Sequence, residues 1–155
     1  MLHLECPSNL MDNKLVIKRK TWLIYILTIL GSLDSLYLTW TKLVGIDANC
    51  TGIGKCGVVN ASSWSTIAGI PIAFLGLVMY LVIGGFTIIE QRNPSLREIS
   101  RLAVFGLSLF GFVYSMWLTY VEIAIIEEIC IYCLGSAVII AFIFVISILR
   151  IRDLS

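Results

Sequence analysis

The chain has 155 residues, of which 59% are hydrophobic and 14% charged, and its formal net charge is +1. That composition excludes an ordinary soluble domain, and the near-neutral balance supplies no basic surplus of the kind a nucleic-acid binder needs. Five cysteines against a single histidine, His3, point to sulfur chemistry rather than to a histidine-containing metal site or a Cys-His nucleophile pair.

Residues 1–20 read as a polar leader carrying Cys6, which has no partner nearby in sequence. The first apolar run, 21–43, is too long for the core of a signal peptide, and three more follow at 67–89, 102–126 and 131–149, so it is expected to stay in place. Each run can carry a helix across a hydrocarbon layer of about 30 Å. Helices satisfy their own backbone in lipid, and nothing here alternates with the period of a β-barrel. The expected fold is therefore all-α, a polytopic membrane four-helix bundle over residues 21–149 with a short tail at 150–155.

Charge sets the expected orientation. Lys14, Lys18, Arg19, Lys20, Arg92, Arg97, Arg101, Arg150 and Arg152 flank the ends that meet if both termini are cytoplasmic, and only Lys42 and Lys55 lie opposite. The positive-inside rule then puts leader and tail in the cytoplasm of a cell with a cell (inner) membrane. The 44–66 loop between the first two helices and the acidic corner at Glu127, Glu128 and Ile129 become extracytoplasmic. Cys50, Cys56, Cys130 and Cys133 all fall on that oxidising side, whereas Cys6 is expected to remain reduced.

Within the first run the one acid is Asp34, in Gly31-Ser32-Leu33-Asp34-Ser35. An ionisable group at that depth is costly, and both a proton route and a satisfied structural acid fit it. The loop then brings Cys50-Thr51-Gly52-Ile53-Gly54-Lys55-Cys56, with a further glycine at 57. Glycine lets the backbone rearrange if one cysteine bonds to a second protein at one moment and to its neighbour at the next, so the pair reads as a mobile shuttle. A fixed structural disulfide is the alternative, while the spacing and the oxidising side argue against a four-thiolate zinc site.

Ser62-Ser63-Trp64-Ser65-Thr66 and Gly69-Ile70-Pro71 lead into the second helix and combine hydroxyls with a ring at the level of the membrane interface. Small residues at Gly69, Ala73 and Gly76 allow close helix approach, and Trp64 can cover a flat, lipid-soluble ligand lodged among the helices. Trp22, Trp40, Trp117 and Tyr120 read instead as an interfacial belt, and Glu122, Glu127 and Glu128 as a solvated acidic rim. Last comes Cys130-Ile131-Tyr132-Cys133, a C-x-x-C at the mouth of the fourth helix. Its spacing holds both sulfurs within one turn, and a helix N-terminus favours the thiolate, so this pair can be reduced and re-formed repeatedly. A structural staple is again the alternative.

Taken together, four helices, a loop cysteine pair, Ser62 with Trp64, Gly69-Ile70-Pro71 and Cys130-x-x-Cys133 resemble the vitamin K epoxide reductase family in its bacterial form, over roughly 21–149. The resemblance implies that Cys133 faces a quinone held within the bundle, with Cys130 as its resolving partner. It further implies that Cys56 exchanges with Cys130 and that Cys50 takes electrons from a thioredoxin-like protein. In vertebrate members an Asn ahead of the second helix and a Tyr one turn beyond the C-x-x-C contact the quinone head group. The corresponding positions here are Ser65 and Ala137, which with Ser62 and Trp64 make up the candidate quinone-binding set. Many prokaryotic members carry a fused thioredoxin-like domain, and for this chain the resemblance implies a partner acting in trans. The expected function is a membrane thiol–quinone oxidoreductase supporting disulfide formation. The alternatives are a quinone or quinone-epoxide reductase of a vitamin K cycle, and a non-catalytic membrane protein with disulfide-stapled loops.

Overall fold

A computed structural model describes residues 7–46 and 55–152 of the chain, with side chains described from residue 15 onward. It contains helices α1 (Pro7–Val44), α2 (Cys56–Ala61), α3 (Ile72–Arg92), α4 (Arg97–Val121) and α5 (Ile131–Arg152). All but α2 are long and apolar enough to cross a membrane, so the fold is the all-α polytopic bundle that the apolar runs predict. α1 packs on α3 and α5, and α4 packs on the same two, which closes the spans into a ring.

Two glycines set the close approaches within that ring. A Cβ on Gly31 would lie 2.5 Å from Cζ of Tyr80, and one on Gly111 would lie 2.6 Å from Cε of Met79. Only a missing side chain lets α1 and α4 take α3 at this distance. Around these contacts Ile24, Tyr80, Ile83, Val104, Ile140 and Ile143 form the buried core. Large apolar residues on the outer faces, among them Leu102, Phe110 and Trp117, are exposed, as a lipid-facing surface requires.

The element boundaries differ from the sequence expectation in instructive places. Among the described residues helix α1 runs from Pro7 onward, so residues 7–20 are helical and continuous with the first span rather than a separate polar segment. Neither glycine nor proline occurs between Pro7 and Gly31 to interrupt the helix. Before α3, β1 (Thr66–Ile67) and β2 (Ile70–Pro71) make a two-stranded antiparallel hairpin in which Ile67 faces Ile70. Its two turn residues, Ala68 at φ 51° and Gly69 at φ 82°, are both left-handed, as a two-residue turn between twisted strands demands. After α4 the chain makes one wide π turn, Glu122–Ile126, and Glu127 leaves it at φ 57°.

One end of the ring carries buried charge. Arg101 Nε donates to Glu90 Oε1 at 2.8 Å, and Arg150 donates to both carboxylate oxygens of Glu90. All three side chains are buried. Counted in the sequence as flanking cations, Arg101 and Arg150 thus also form an internal ion triad that joins α3, α4 and α5.

Candidate active site

The other end of the ring holds the sulfurs. Cys130 stands just before α5 and Cys133 lies in its first turn, where the Cys133 amide donates to Cys130 Sγ at 3.4 Å. The C-x-x-C spacing thus turns one sulfur into a cap for the helix that carries the other. Hydrogen bonding from the Cys133 thiol, helped by the Cys133 amide, draws the Cys130 thiol below its ordinary pKa, against the opposing effects of burial and of Glu122. The ring of Tyr132 lies 5.0 Å from that of Tyr37, centroid to centroid, which fixes the start of α5 against α1.

Cys56 opens α2 and packs with Leu38, Val59 and Cys130 in a second buried cluster, in which Cys56 is 1% exposed and Cys130 0%. The segment before Cys56 is strapped to the segment before Cys130. The Lys55 amide donates to the Ile129 carbonyl at 3.2 Å, and the Lys55 ammonium pairs with Glu128 at 2.5 Å. Cys56 takes part in a disulfide, while Cys130 and Cys133 carry free thiols. Cys50 and its expected pairing with Cys56 lie outside the described residues, as does Cys6. The expectation of a loosely held shuttle does not extend to Cys56, whose sulfur is enclosed by apolar side chains.

A cavity of about 460 Å³ opens beside the C-x-x-C and is bounded by α1, α3, α4, α5 and the link between α2 and the hairpin. Cys133 lines it; so do Ser62, Trp64 and Ser65. Ala137 does not line it, and the polar residue that α5 presents there beyond Cys133 is Ser136, whose Oγ and carbonyl meet the Tyr80 hydroxyl at 2.9 and 3.1 Å. Ser65 is committed to the backbone: its hydroxyl donates to the carbonyls of Asn60 and Ser62 at 2.6 and 2.7 Å. Lys42, at the end of α1, donates to Ser65 Oγ and, at 2.6 Å, to the Asn60 carbonyl. Ser62 likewise turns its hydroxyl to the Val59 carbonyl at 2.7 Å. Trp64 is half exposed at the cavity's edge.

Three site residues escape a reading by pattern. Glu122, expected on a solvated rim, is buried: the π turn carries it inward, and its Oε2 accepts the Cys130 amide at 3.3 Å. Lys42, taken only as an outlying charge, ties α1 to the cavity's polar edge. Asn60 joins the same knot by donating to Thr41 Oγ1 at 3.3 Å. The useful signal in the sequence was proximity, since Glu122 precedes the C-x-x-C by one short corner.

The family model described as the vitamin K epoxide reductase family matches residues 22–148 of the chain. The chain is also 33% identical over 112 residues to the thiol-disulfide oxidoreductase LTO1 of Arabidopsis thaliana, a match covering 68% of this chain and 30% of that protein. The chain therefore spans about a third of the length of the curated relative it matches. A match of the family model across all four spans, on a bundle that gathers Cys56, Cys130 and Cys133 at one end, establishes that this chain belongs to the vitamin K epoxide reductase family.

Proposed function

We propose that the chain is a membrane thiol–disulfide oxidoreductase that moves electrons from a thioredoxin-like protein, acting in trans, through Cys50/Cys56 and then Cys130/Cys133 to a quinone, and so supports disulfide formation. One observation carries the reading: disulfide-bonded Cys56 is packed in one apolar cluster with the Cys130 thiol, whose neighbour Cys133 opens onto an apolar cavity. The name of the Arabidopsis relative supports the thiol–disulfide chemistry. Both termini are taken as cytoplasmic and the cysteine end as extracytoplasmic, in a cell membrane, on the charge asymmetry alone.

In this scheme a thiolate of the partner attacks Cys50, and Cys56 leaves as a thiolate. A second thiol of the partner resolves the mixed disulfide and frees Cys50. Cys56 then attacks Cys130 of an oxidised C-x-x-C and releases Cys133, and Cys50 attacks Cys56, which restores the Cys50/Cys56 disulfide and releases Cys130. Cys130 suits the last of these steps, because a thiol whose pKa is lowered is the better leaving group. Cys133 then stands free at the cavity wall. The cavity has the size and the largely apolar lining, with a few polar groups, that a flat lipid-soluble ring requires, and Ser62, Trp64 and Ser65 bound its edge. A bound quinone supplies an acceptor for two electrons and two protons.

The test uses the full chain in lipid nanodiscs with a reduced thioredoxin-like protein and a short-chain quinone. Quinone should be consumed in step with partner thiols, and Cys133→Ser should abolish quinone reduction. A Cys56→Ser variant mixed with the partner in its disulfide form should accumulate a mixed disulfide at Cys50, because Cys50 opens that disulfide and no Cys56 thiol is left to resolve it. Wild-type protein that leaves the quinone untouched would sink the proposal. A Cys133→Ser chain that loses its fold rather than its activity would favour the stapled-protein reading.

A further inference from the structure

Asp34 has no part in the sulfur relay. It lies ten residues before the end of α1, about 15 Å along the axis at the rise of an α-helix. Its Oδ2 is buried and has no hydrogen-bond partner among the described residues. A buried carboxyl oxygen left without a partner inside a membrane span is costly unless something else satisfies it. The side chain lines the same cavity as Cys133, so a ligand in that cavity is within the space Asp34 faces.

The other acids at the cavity are differently placed. Tyr80, on α3, is engaged with Ser136, and Glu122, after α4, holds the Cys130 amide. Tyr114, also on α4, is a phenol and so a far weaker acid than a carboxyl. Oxidation of a dithiol by a quinone transfers two electrons and two protons. When Cys130 reacts as its thiolate, the C-x-x-C brings only one of those protons.

We propose that Asp34 is the acid that hydrogen-bonds to a carbonyl oxygen of a quinone in this cavity and hands it the second proton. The proposal rests on the quinone reading above. In the balanced step the Cys130 thiolate and the Cys133 thiol form the Cys130–Cys133 disulfide and give up two electrons. Cys133 releases one proton and Asp34 the other; both reach the quinone oxygens, a quinol departs, and Asp34 remains as a carboxylate. Asp34 regains its proton from water before the next turnover.

Full-length wild type, Asp34→Asn, Asp34→Glu and Asp34→Leu in lipid nanodiscs, pre-reduced and mixed with a short-chain quinone, test it. Asp34→Asn keeps the shape and a hydrogen-bond donor but has no acidic proton, so kcat should fall about a hundredfold with KM little changed, while Asp34→Glu should recover most of the rate. Binding gives a second readout, independent of turnover. In oxidised protein the infrared carbonyl stretch of the bound quinone should fall in wild type and return to its free position in Asp34→Leu. Quinone reduction by Asp34→Asn at the wild-type rate, or an identical carbonyl stretch in wild type and Asp34→Leu, overturns the proposal. If the substituted chains do not fold, oxidised wild type carrying isotope-labelled aspartate decides: quinone must shift a protonated aspartate band, and an unmoved band overturns the proposal. Failure of wild type to reduce quinone at all brings down the wider function as well, which separates the two failures.

Discussion

Cys130 gathers opposing influences on one sulfur. Donors from Cys133 lower its pKa, while burial and the charge of Glu122 raise it, and the donors win. In reduced protein the first thiolate, followed by its ultraviolet absorbance, should therefore appear below the ordinary 9.0. Glu122→Gln removes an opposing charge and should move that midpoint lower still, whereas Cys133→Ala should move it back up. A midpoint at or above the ordinary value would contradict this account of the site. The linkage has a definite sign. Because folding lowers this pKa, the reduced chain gains its contribution to stability as pH rises through the window below 9.0 and loses it as pH falls through the folded value.

At the scale of elements, α2 is too short to be stable alone and is held by what surrounds it. Lys42 anchors its far end through the Asn60 carbonyl and Ser65, and Lys55 ties its start to Ile129 and Glu128. The Lys55–Glu128 pair is largely exposed on the lysine side and contributes little energy. Lys42 is the stronger tether, being a charged donor shared between two oxygens. Lys42→Met should cost about 1–3 kcal/mol. It should speed amide hydrogen exchange across residues 56–65 while leaving α4 and α5 protected. Equal acceleration throughout the bundle would show that Lys42 supports the whole fold and not this link.

The whole molecule has two dissimilar ends, thiols at one and the Glu90–Arg101–Arg150 triad at the other. Removing Glu90 leaves two buried guanidiniums without their shared acid, so Glu90→Gln should destabilise the bundle by about 3–5 kcal/mol, more than Arg101→Met does. Thermal unfolding in detergent measures the difference, and equal losses would mean that the triad is only a pair. The triad also marks where sequence reading stopped. The four spans and the C-x-x-C were legible because long apolar runs and a fixed spacing are local signals. Glu90, Arg101 and Arg150 come from three helices, so nothing local distinguishes them from flanking charges. The inward turn of Glu122 depends on one wide helical turn, and the hairpin at 66–71 on two left-handed residues, neither of which has a hydrophobic period.

The enclosure of Cys56 and Cys130 has a consequence for selectivity. Sulfurs that are 1% and 0% exposed meet one another inside a shell of hydrocarbon, beyond the reach of dissolved small thiols and peroxides. In the proposed relay the protein would in this respect be an insulated conductor, in which charge passes between two buried contacts without leaking to the medium.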